Sequence, residues 1–184
     1  MVDINKILER KKTEIARYCR DTFPRKAGKV AVDHIQNNFR QEGYIDNGLH
    51  PWKPAKRKSG KGTRADYKTL HSGRNNLVNS FRSSVENGKA IINTDVEYAA
   101  IHNYGGSITH PITQKQRVAA METHIRKNGT QHRNKNSMWK GLALTKKTSY
   151  VIQMPKRQFI GASKELIQDL KNTAKRDLLT LLKE

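Results

Sequence analysis

The chain has 184 residues, and its 36 Lys and Arg against 16 Asp and Glu give a formal net charge of +20. This length suits one core that covers about two thirds of the unfolded surface, so we expect a single domain over residues 1–184. No apolar run approaches the roughly 18 residues of a membrane span, and the N-terminus lacks a signal peptide's apolar stretch. We therefore expect a protein made in the cytosol, without membrane association. Cys19 is the only cysteine, which excludes an internal disulfide, and we expect it to be a small core residue on a helix.

The N-terminal part predicts two helices. Apolar residues spaced by three and four predict an amphipathic helix over residues 3–22, with Asp3 as N-cap and Pro24 as the interruption. The same spacing predicts a second helix over residues 27–43. His34 lies near its apolar face, where a packed neutral histidine is favoured over a ligand.

Residues 43–69 lack periodicity and carry Gly, Pro, Ser and Lys, which predicts a long basic loop ordered around Trp52. Trp52 is either an aromatic anchor packed on the domain, which we favour, or a platform that stacks on a base or a partner. A helical turn follows Gly73 and runs through Leu77.

The dipeptide Asn87-Gly88 lies between two strand-like runs, residues 81–86 and 89–94. It predicts a two-stranded antiparallel hairpin, because both central residues of a type I′ turn need positive φ. Glu97 to Asn103 then reads as a short helix, and the glycines that follow it can supply a left-handed C-terminal conformation.

Residues 107–141 form the second basic region, predicted as an extended segment, a helix and a loop. Thr113 to Gln116 is a capping-box pattern that opens a helix running to about Thr123. Residues 124–141 are polar, basic and rich in Asn and Gly, which predicts a flexible or partner-ordered loop.

The C-terminal part predicts two strands, residues 142–144 and 149–154, and then an amphipathic helix from about Leu166 with Ser163 as N-cap. The expected fold class is therefore α+β. It has N-terminal helices, a mainly antiparallel sheet of three to five strands with a β-hairpin, a short central helix and a long C-terminal helix.

The motifs of common enzymes are missing from the sequence. It contains neither a Gly-x-Ser-x-Gly elbow nor a Gly-x-x-x-x-Gly-Lys phosphate loop. His102, His110, His124 and His132 match no known ligand spacing, and no cysteine or acid cluster assists them. We predict no catalysis, no metal site and no cofactor.

Basic residues concentrate in two stretches, since no acid lies between Asp46 and Asp66 and Glu122 is the only acid between Glu97 and Glu165. One explanation is a solvated surface. We favour the other, contact with a nucleic-acid backbone, where neutralised phosphates release counterions. No base-reading motif is found, so such binding would lack sequence preference. The cations assigned to this surface are Lys56, Arg57, Lys58, Lys61, Lys115, Arg117, Arg126, Lys127, Arg133 and Lys135.

Five motifs occur in the order of a known family: Trp52-Lys53-Pro54, the Leu70–Phe81 segment, the hairpin, the Tyr98–Gly106 segment and the Pro155–Gly161 segment. Over about residues 30–184 the chain resembles the virion-morphogenesis (tail-completion, Mu-like) family of tailed phages. The resemblance implies structural or interface roles for Trp52, Gly73, Leu77, Tyr98, His102, Gly105, Gly106, Arg157 and Phe159.

Two of these residues keep alternative roles. His102 either bonds a neighbouring backbone group and fixes the turn, which we favour, or faces an adjacent subunit. Arg157 is either a structural ion-pair or carbonyl-capping residue, or an interface contact.

The function implied by the resemblance is structural, in completing the phage tail or the neck between head and tail. The protein would form a homo-oligomeric ring, in many cases a hexamer, and contact tail-tube and head-tail connector proteins. It would be located in the virion, and in the host cytoplasm during assembly. Combined with the charge, this predicts a ring whose basic loops face the DNA channel. The alternative is a stand-alone nucleic-acid-binding protein without sequence preference, and a nuclease is a third hypothesis.

Overall fold

The computed structural model describes residues 3–55, 67–128 and 137–183. The contacts divide the chain into two compact units, unit 1 (Met1–Gly105 and Pro155–Glu184) and unit 2 (Gly106–Met154). None of the described helices has the length and apolar character needed to cross a membrane. The described elements are α1 (Ile4–Arg17), a π-helical turn (Tyr18–Thr22), α2 (Phe23–Arg40), β1 (Gly43–Ile45), β2 (Leu49–Pro51), β3 (Arg82–Glu86), β4 (Lys89–Asn93), α3 (Ala99–Tyr104), β5 (Gly106–Pro111), α4 (Gln114–Asn128), α5 (Met138–Leu144), β6 (Ser149–Met154) and α6 (Lys164–Lys183).

The predicted α+β class is confirmed, with its N-terminal helices, hairpin, short central helix and long C-terminal helix. The described strands do not form one sheet of three to five strands. They form three antiparallel two-stranded sheets, β1–β2, β3–β4 and β5–β6. The first two are local hairpins, and the third joins the two ends of unit 2, from Gly106 opposite Met154 to Pro111 opposite Ser149.

The first predicted helix is confirmed, and Asp3 caps it by accepting a hydrogen bond from the Lys6 backbone N–H at 3.3 Å. Pro24 does not interrupt the chain of helices. It lies in the first turn of α2, where its missing N–H costs no intrahelical bond, and the π-helical turn makes the join. Cys19 lies in that turn and is exposed, so the expected core position was wrong. The neighbouring Tyr18 is the buried residue instead.

The predicted Asn87-Gly88 hairpin is confirmed, with φ of 50° at Asn87 and 73° at Gly88. Its strands pair from Arg82 opposite Asn93 to Glu86 opposite Lys89, and both pack against α2. The contact is close at Gly28, where an added Cβ would lie 2.7 Å from the Ser83 Cβ.

The long loop predicted over residues 43–69 was wrong at its start, where β1 and β2 form a hairpin. The turn again contains an Asn-Gly pair, Asn47 and Gly48, with φ of 55° and 113°. Each strand has only three residues, which is too short for an alternating pattern to be recognised in the sequence.

The core of unit 1 is largely aromatic, and its buried residues come from α2, from α3 and from the segments between elements: Ile35, Phe39, Trp52, Leu77, Phe81, Ala99 and Phe159. Ser163 is the N-cap of α6, as predicted, because its Oγ accepts a hydrogen bond from the Leu166 N–H at 3.0 Å. The same Oγ lies 3.1 Å from the His34 Nε2, and burial lowers the pKa of His34. His34 is therefore the packed histidine that the sequence indicated.

Unit 2 consists of the β5–β6 ribbon and two helices. The predicted capping box is confirmed, because the Gln116 N–H bonds the Thr113 Oγ1 and the Thr113 N–H bonds the Gln116 Oε1. Helix α4 continues to Asn128, past the predicted end near Thr123. The predicted strand at residues 142–144 was wrong, since these residues end α5. Ser137 begins that helix by accepting a bond from the Trp139 N–H, a cap that the loop assignment for residues 124–141 overlooked.

Candidate functional site

The segment Arg157–Ser163, which we call the clasp, has no regular secondary structure, and its Arg157, Phe159 and Ser163 side chains are buried in unit 1. Two buried asparagines hydrogen-bond its backbone at Phe159 and Ile160. The Asn103 Oδ1 accepts from the backbone N–H groups of Phe159 and Ile160, each at 2.9 Å. The Asn38 Nδ2 donates to the Phe159 carbonyl at 3.1 Å. Because an unpaired buried backbone group is costly, these amides fix the path of the clasp.

Trp52 anchors the segment after β2 against the clasp. Its indole Nε1 donates to the Gln158 carbonyl at 2.7 Å. Its ring meets Phe39 edge-on at 5.3 Å between centroids, and Phe159 lies 5.0 Å from Phe39 and 6.4 Å from Trp52, so the three rings pack against one another. Trp52 is only 7% exposed, so the structure has the packed anchor rather than a free stacking platform.

Arg157 connects the clasp to two other family-like segments. Its Nε donates to the Lys53 carbonyl at 2.9 Å and its Nη2 to the Pro54 carbonyl at 3.4 Å. Its backbone N–H bonds the His102 carbonyl at 2.8 Å. The buried guanidinium thus caps carbonyl groups, and the Trp52-Lys53-Pro54, Tyr98–Gly106 and Pro155–Gly161 motifs meet at this residue.

Helix α3 presents Tyr98 and His102 beside the clasp. Tyr98 is 48% exposed, and its ring meets the His102 ring edge-on at 5.8 Å. Burial, and then the positive charge of Arg157, lower the pKa of His102. The His102 Nδ1 has no hydrogen-bond partner among the described residues, so the expected backbone bond is not made at that nitrogen.

The glycines of the family-like set have different surroundings. Gly105 ends α3 with φ of 74°, and an added Cβ would lie 2.8 Å from the Lys156 backbone nitrogen. Positive φ and close backbone approach both require glycine there. Gly106 begins β5 with φ of 140°, and Gly73 lies in a turn beside the Tyr67 hydroxyl. Leu77 is buried in the core.

The sequence did not single out Asn38 and Asn103, whose side chains hydrogen-bond the clasp backbone at Phe159 and Ile160. Asn38 is fully buried and Asn103 is 4% exposed. A signal was available for Asn38, since an amide on the apolar stripe of a predicted helix must find partners when it is buried. For Asn103 at a helix end, the sequence offered no comparable signal.

The predicted cations divide into three groups. Lys115, Arg126 and Lys127 are exposed on α4. Arg117 is half-buried and structural, because its Nη1 donates to the Thr145 carbonyl and its Nη2 to the Lys147 carbonyl at 2.7 Å. The other six lie outside the described residues: Lys56, Arg57, Lys58, Lys61, Arg133 and Lys135.

Unit 2 has nine Lys and Arg and one acid, Glu122, and therefore a net charge of +8. Lys115 and Arg126 form no ion pair with any described residue. Lys127 lies 5.4 Å above the Trp139 ring centroid, a cation–π contact. These charges favour binding of a polyanion. Within residues 3–55, 67–128 and 137–183, no three His, Cys, Asp or Glu side chains converge as metal ligands would.

Comparison with known proteins identifies the family. The model of the phage virion morphogenesis family matches residues 3–179, and so includes both units. No curated protein and no solved structure gives a significant match. The chain therefore belongs to the phage virion morphogenesis family, and its role is a structural or assembly role in making the phage particle.

Proposed function

We propose that the protein completes the phage tail, or the neck between tail and head, as a homo-oligomeric ring around the DNA channel. In this ring, unit 1 supplies the rigid framework. The cations of unit 2 and of the basic segment after Trp52 face the DNA backbone. The ring contacts the tail-tube and connector proteins at its two ends.

The observation that carries this proposal is the family match over residues 3–179. The chemistry of the two units supports it. The clasp brings the family-like motifs together through buried aromatic rings and capped carbonyls, an arrangement suited to rigidity. Unit 2 carries cations with a single acid among them, and a ring of such subunits would repel itself without an anionic content. DNA in the channel supplies that content.

Particles assembled with and without the chain test the function. We expect imaging of particles made in its absence to reveal tails with an unfinished end, or heads and tails that fail to join. Supplying the full chain in trans should restore joined, infectious particles. Normal particles in its absence would contradict the proposal.

Size measurement separates the ring from the alternative of a stand-alone DNA-binding protein. Light scattering on the purified chain should give a discrete oligomer, alone or on purified tails. A monomer or dimer that binds DNA in a salt-dependent way, and has no effect on particles, would favour the alternative.

A further inference from the structure

Three arginines surround Asp21 where the π-helical turn joins α1 to α2. Arg17 is the last residue of α1, Arg20 lies in the turn, and Arg25 lies in the first turn of α2. The hydrogen bonds of Arg20, and the positive charges of all three arginines, lower the pKa of Asp21, so the three guanidinium groups lie around this one carboxylate. We call the four residues the arginine cluster, and three cations against one acid give it a net charge of +2.

Asp21 pairs with only one of these arginines. Its Oδ1 accepts from the Arg20 Nε at 3.0 Å, and its Oδ2 accepts from the Arg20 Nη2 at 3.2 Å. This double bond pattern orients the guanidinium and leaves the Arg20 Nη1 unused by Asp21. Arg17 and Arg25 form no ion pair and no side-chain hydrogen bond with any described residue. Two positive charges therefore remain uncompensated beside the bonded pair.

The cluster borders an open cavity of about 550 Å³, and the tip of the β3–β4 hairpin borders it from the other side. The cavity is lined by Arg20, Asp21, Arg25, Val85, Asn87 and Gly88. The hairpin turn contacts Arg20, since an added Cβ at Gly88 would lie 3.7 Å from the Arg20 carbonyl oxygen. Asn87 is exposed, and its side-chain amide forms no hydrogen bond with the part of the chain that the structure describes. Guanidinium and amide donors thus line one space.

The spacing of the uncompensated arginines favours a nucleic-acid backbone as the ligand. Guanidinium groups bind phosphate oxygens through paired, charge-assisted hydrogen bonds. Arg17 and Arg25 are eight positions apart in the chain, which is about 12 Å along a helix at about 1.5 Å per residue. One carboxylate of a protein partner cannot contact both arginines at this distance. A nucleic-acid strand carries a phosphate for about every 3.4 Å of duplex length and can contact both.

We propose that the arginine cluster is a phosphate-binding site of unit 1 that contacts a nucleic-acid backbone. Arg25, the Arg20 Nη1 and the Asn87 amide bind one phosphate in the cavity, and Arg17 contacts a further phosphate of the same strand. Asp21 orients Arg20 and weakens the site by its own charge. The assignment rests on the proposed function for the source of the phosphates, DNA in the channel, and it does not require the contacts proposed for unit 2.

The first test removes the two uncompensated arginines from the full chain. In the variant Arg17→Gln with Arg25→Gln, the slope of log affinity against log salt should fall by about 1–2, because each phosphate contact contributes about 0.9. Fluorescence anisotropy with a short random duplex measures the slope. Lys171→Gln with Lys175→Gln is the matched control, since it removes the same charge from exposed positions on α6, and its slope should equal that of the unmodified chain.

The second test predicts a gain of binding. Asp21→Asn removes the acid of the cluster and releases Arg20, so the affinity for the duplex should rise and the slope should increase by about 1. Asp169→Asn makes the same change of charge on α6, where Asp169 forms no ion pair with any described residue, and should leave the slope unchanged. A gain of affinity cannot result from unfolding, so this test does not depend on how well the arginine variant folds.

Three results would overturn the assignment. The first is an equal slope for the arginine variant and its α6 control, and the second is an equal response to Asp21→Asn and Asp169→Asn. The third is a loss of infectious particles in the arginine variant with an unchanged slope, which would mean that the cluster binds an acidic protein surface. These results leave the ring proposal standing, because light scattering and imaging of particles test the ring separately.

Discussion

At the scale of single residues, the clasp is held by side chains that take the place of a neighbouring strand. Asn103 and Asn38 bond backbone groups on both sides of Phe159, and Asn38 also accepts from the Ile45 N–H at 3.0 Å. The peptide groups of Phe159 and the Ile160 N–H are thus paired although the segment has no neighbouring strand. Trp52 and Arg157 bond further groups of the same path.

We expect Asn103→Ala to destabilise unit 1. The substitution leaves the N–H groups of Phe159 and Ile160 without their acceptor, at a cost of about 1–3 kcal/mol for each buried donor. Urea denaturation measures the loss. Asn172→Ala is the control, because Asn172 accepts one exposed hydrogen bond from Gln168 on α6 and should change stability little. Equal stabilities of the two variants would contradict this account of the clasp.

The sequence predicted the roles of the apolar residues at this site better than the roles of its polar residues. Trp52 was expected as a packed anchor because a large aromatic in a polar stretch gains most by burial. The partners of Asn38 and Asn103 lie 121 and 56 residues away in the chain, and such pairings have no local signature. The exposed position of Cys19 has a similar cause, since the π-helical turn shifts the helical phase that the sequence pattern assumes.

At the scale of secondary-structure elements, local turn chemistry was the most reliable guide. The Asn87-Gly88 hairpin, the Thr113–Gln116 capping box and the Ser163 N-cap follow from contacts within a few residues, and all three are present. Errors arose where an element was short or where its cap was overlooked, as with β1–β2 and α5. Division of the strands into three sheets depends on tertiary packing, which no local pattern encodes.

The packing of α2 on the β3–β4 hairpin leads to a prediction at Gly28. Gly28→Ala would place a Cβ 2.7 Å from the Ser83 Cβ, so the helix and strand must separate. We expect a loss of about 1–3 kcal/mol, typical of an overpacked contact, measured as a lower thermal midpoint.

Gly141→Ala provides the control for the helical propensity of alanine. Gly141 lies in α5 with nothing within 4 Å of an added Cβ, so this variant should be neutral or gain up to about 1 kcal/mol. A Gly28→Ala protein as stable as the unmodified chain would mean that the helix and hairpin are packed less closely than described.

At the scale of the whole molecule, the two units differ in how they use charge. In unit 1, acids and bases pair within and between helices, as Lys26 does with Asp177 at 2.6 Å, a contact that lowers the pKa of Asp177. In unit 2, the lone acid cannot balance nine cations. The amino-acid composition revealed the excess of positive charge in this part of the chain. It did not reveal that Arg117 is occupied by two backbone carbonyls and differs in this from Lys115 and Arg126 on the same helix.

Because of this difference, we expect substitution of Arg117 to have a different effect from substitution of Lys115 and Arg126 on the same helix. If Lys115 and Arg126 contact DNA phosphates, the variant Lys115→Gln with Arg126→Gln should reduce the slope of log affinity against log salt by about 1–2, since each phosphate contact contributes about 0.9. Fluorescence anisotropy with a short random duplex measures the slope. Lys171→Gln with Lys175→Gln removes the same charge from α6 of unit 1 and should leave the slope unchanged. Arg117→Gln should instead speed amide exchange around residues 145–148, because it frees the carbonyls that the guanidinium holds. A slope that falls equally in both double variants would mean that DNA responds to the net charge of the chain and that unit 2 has no particular role in binding it.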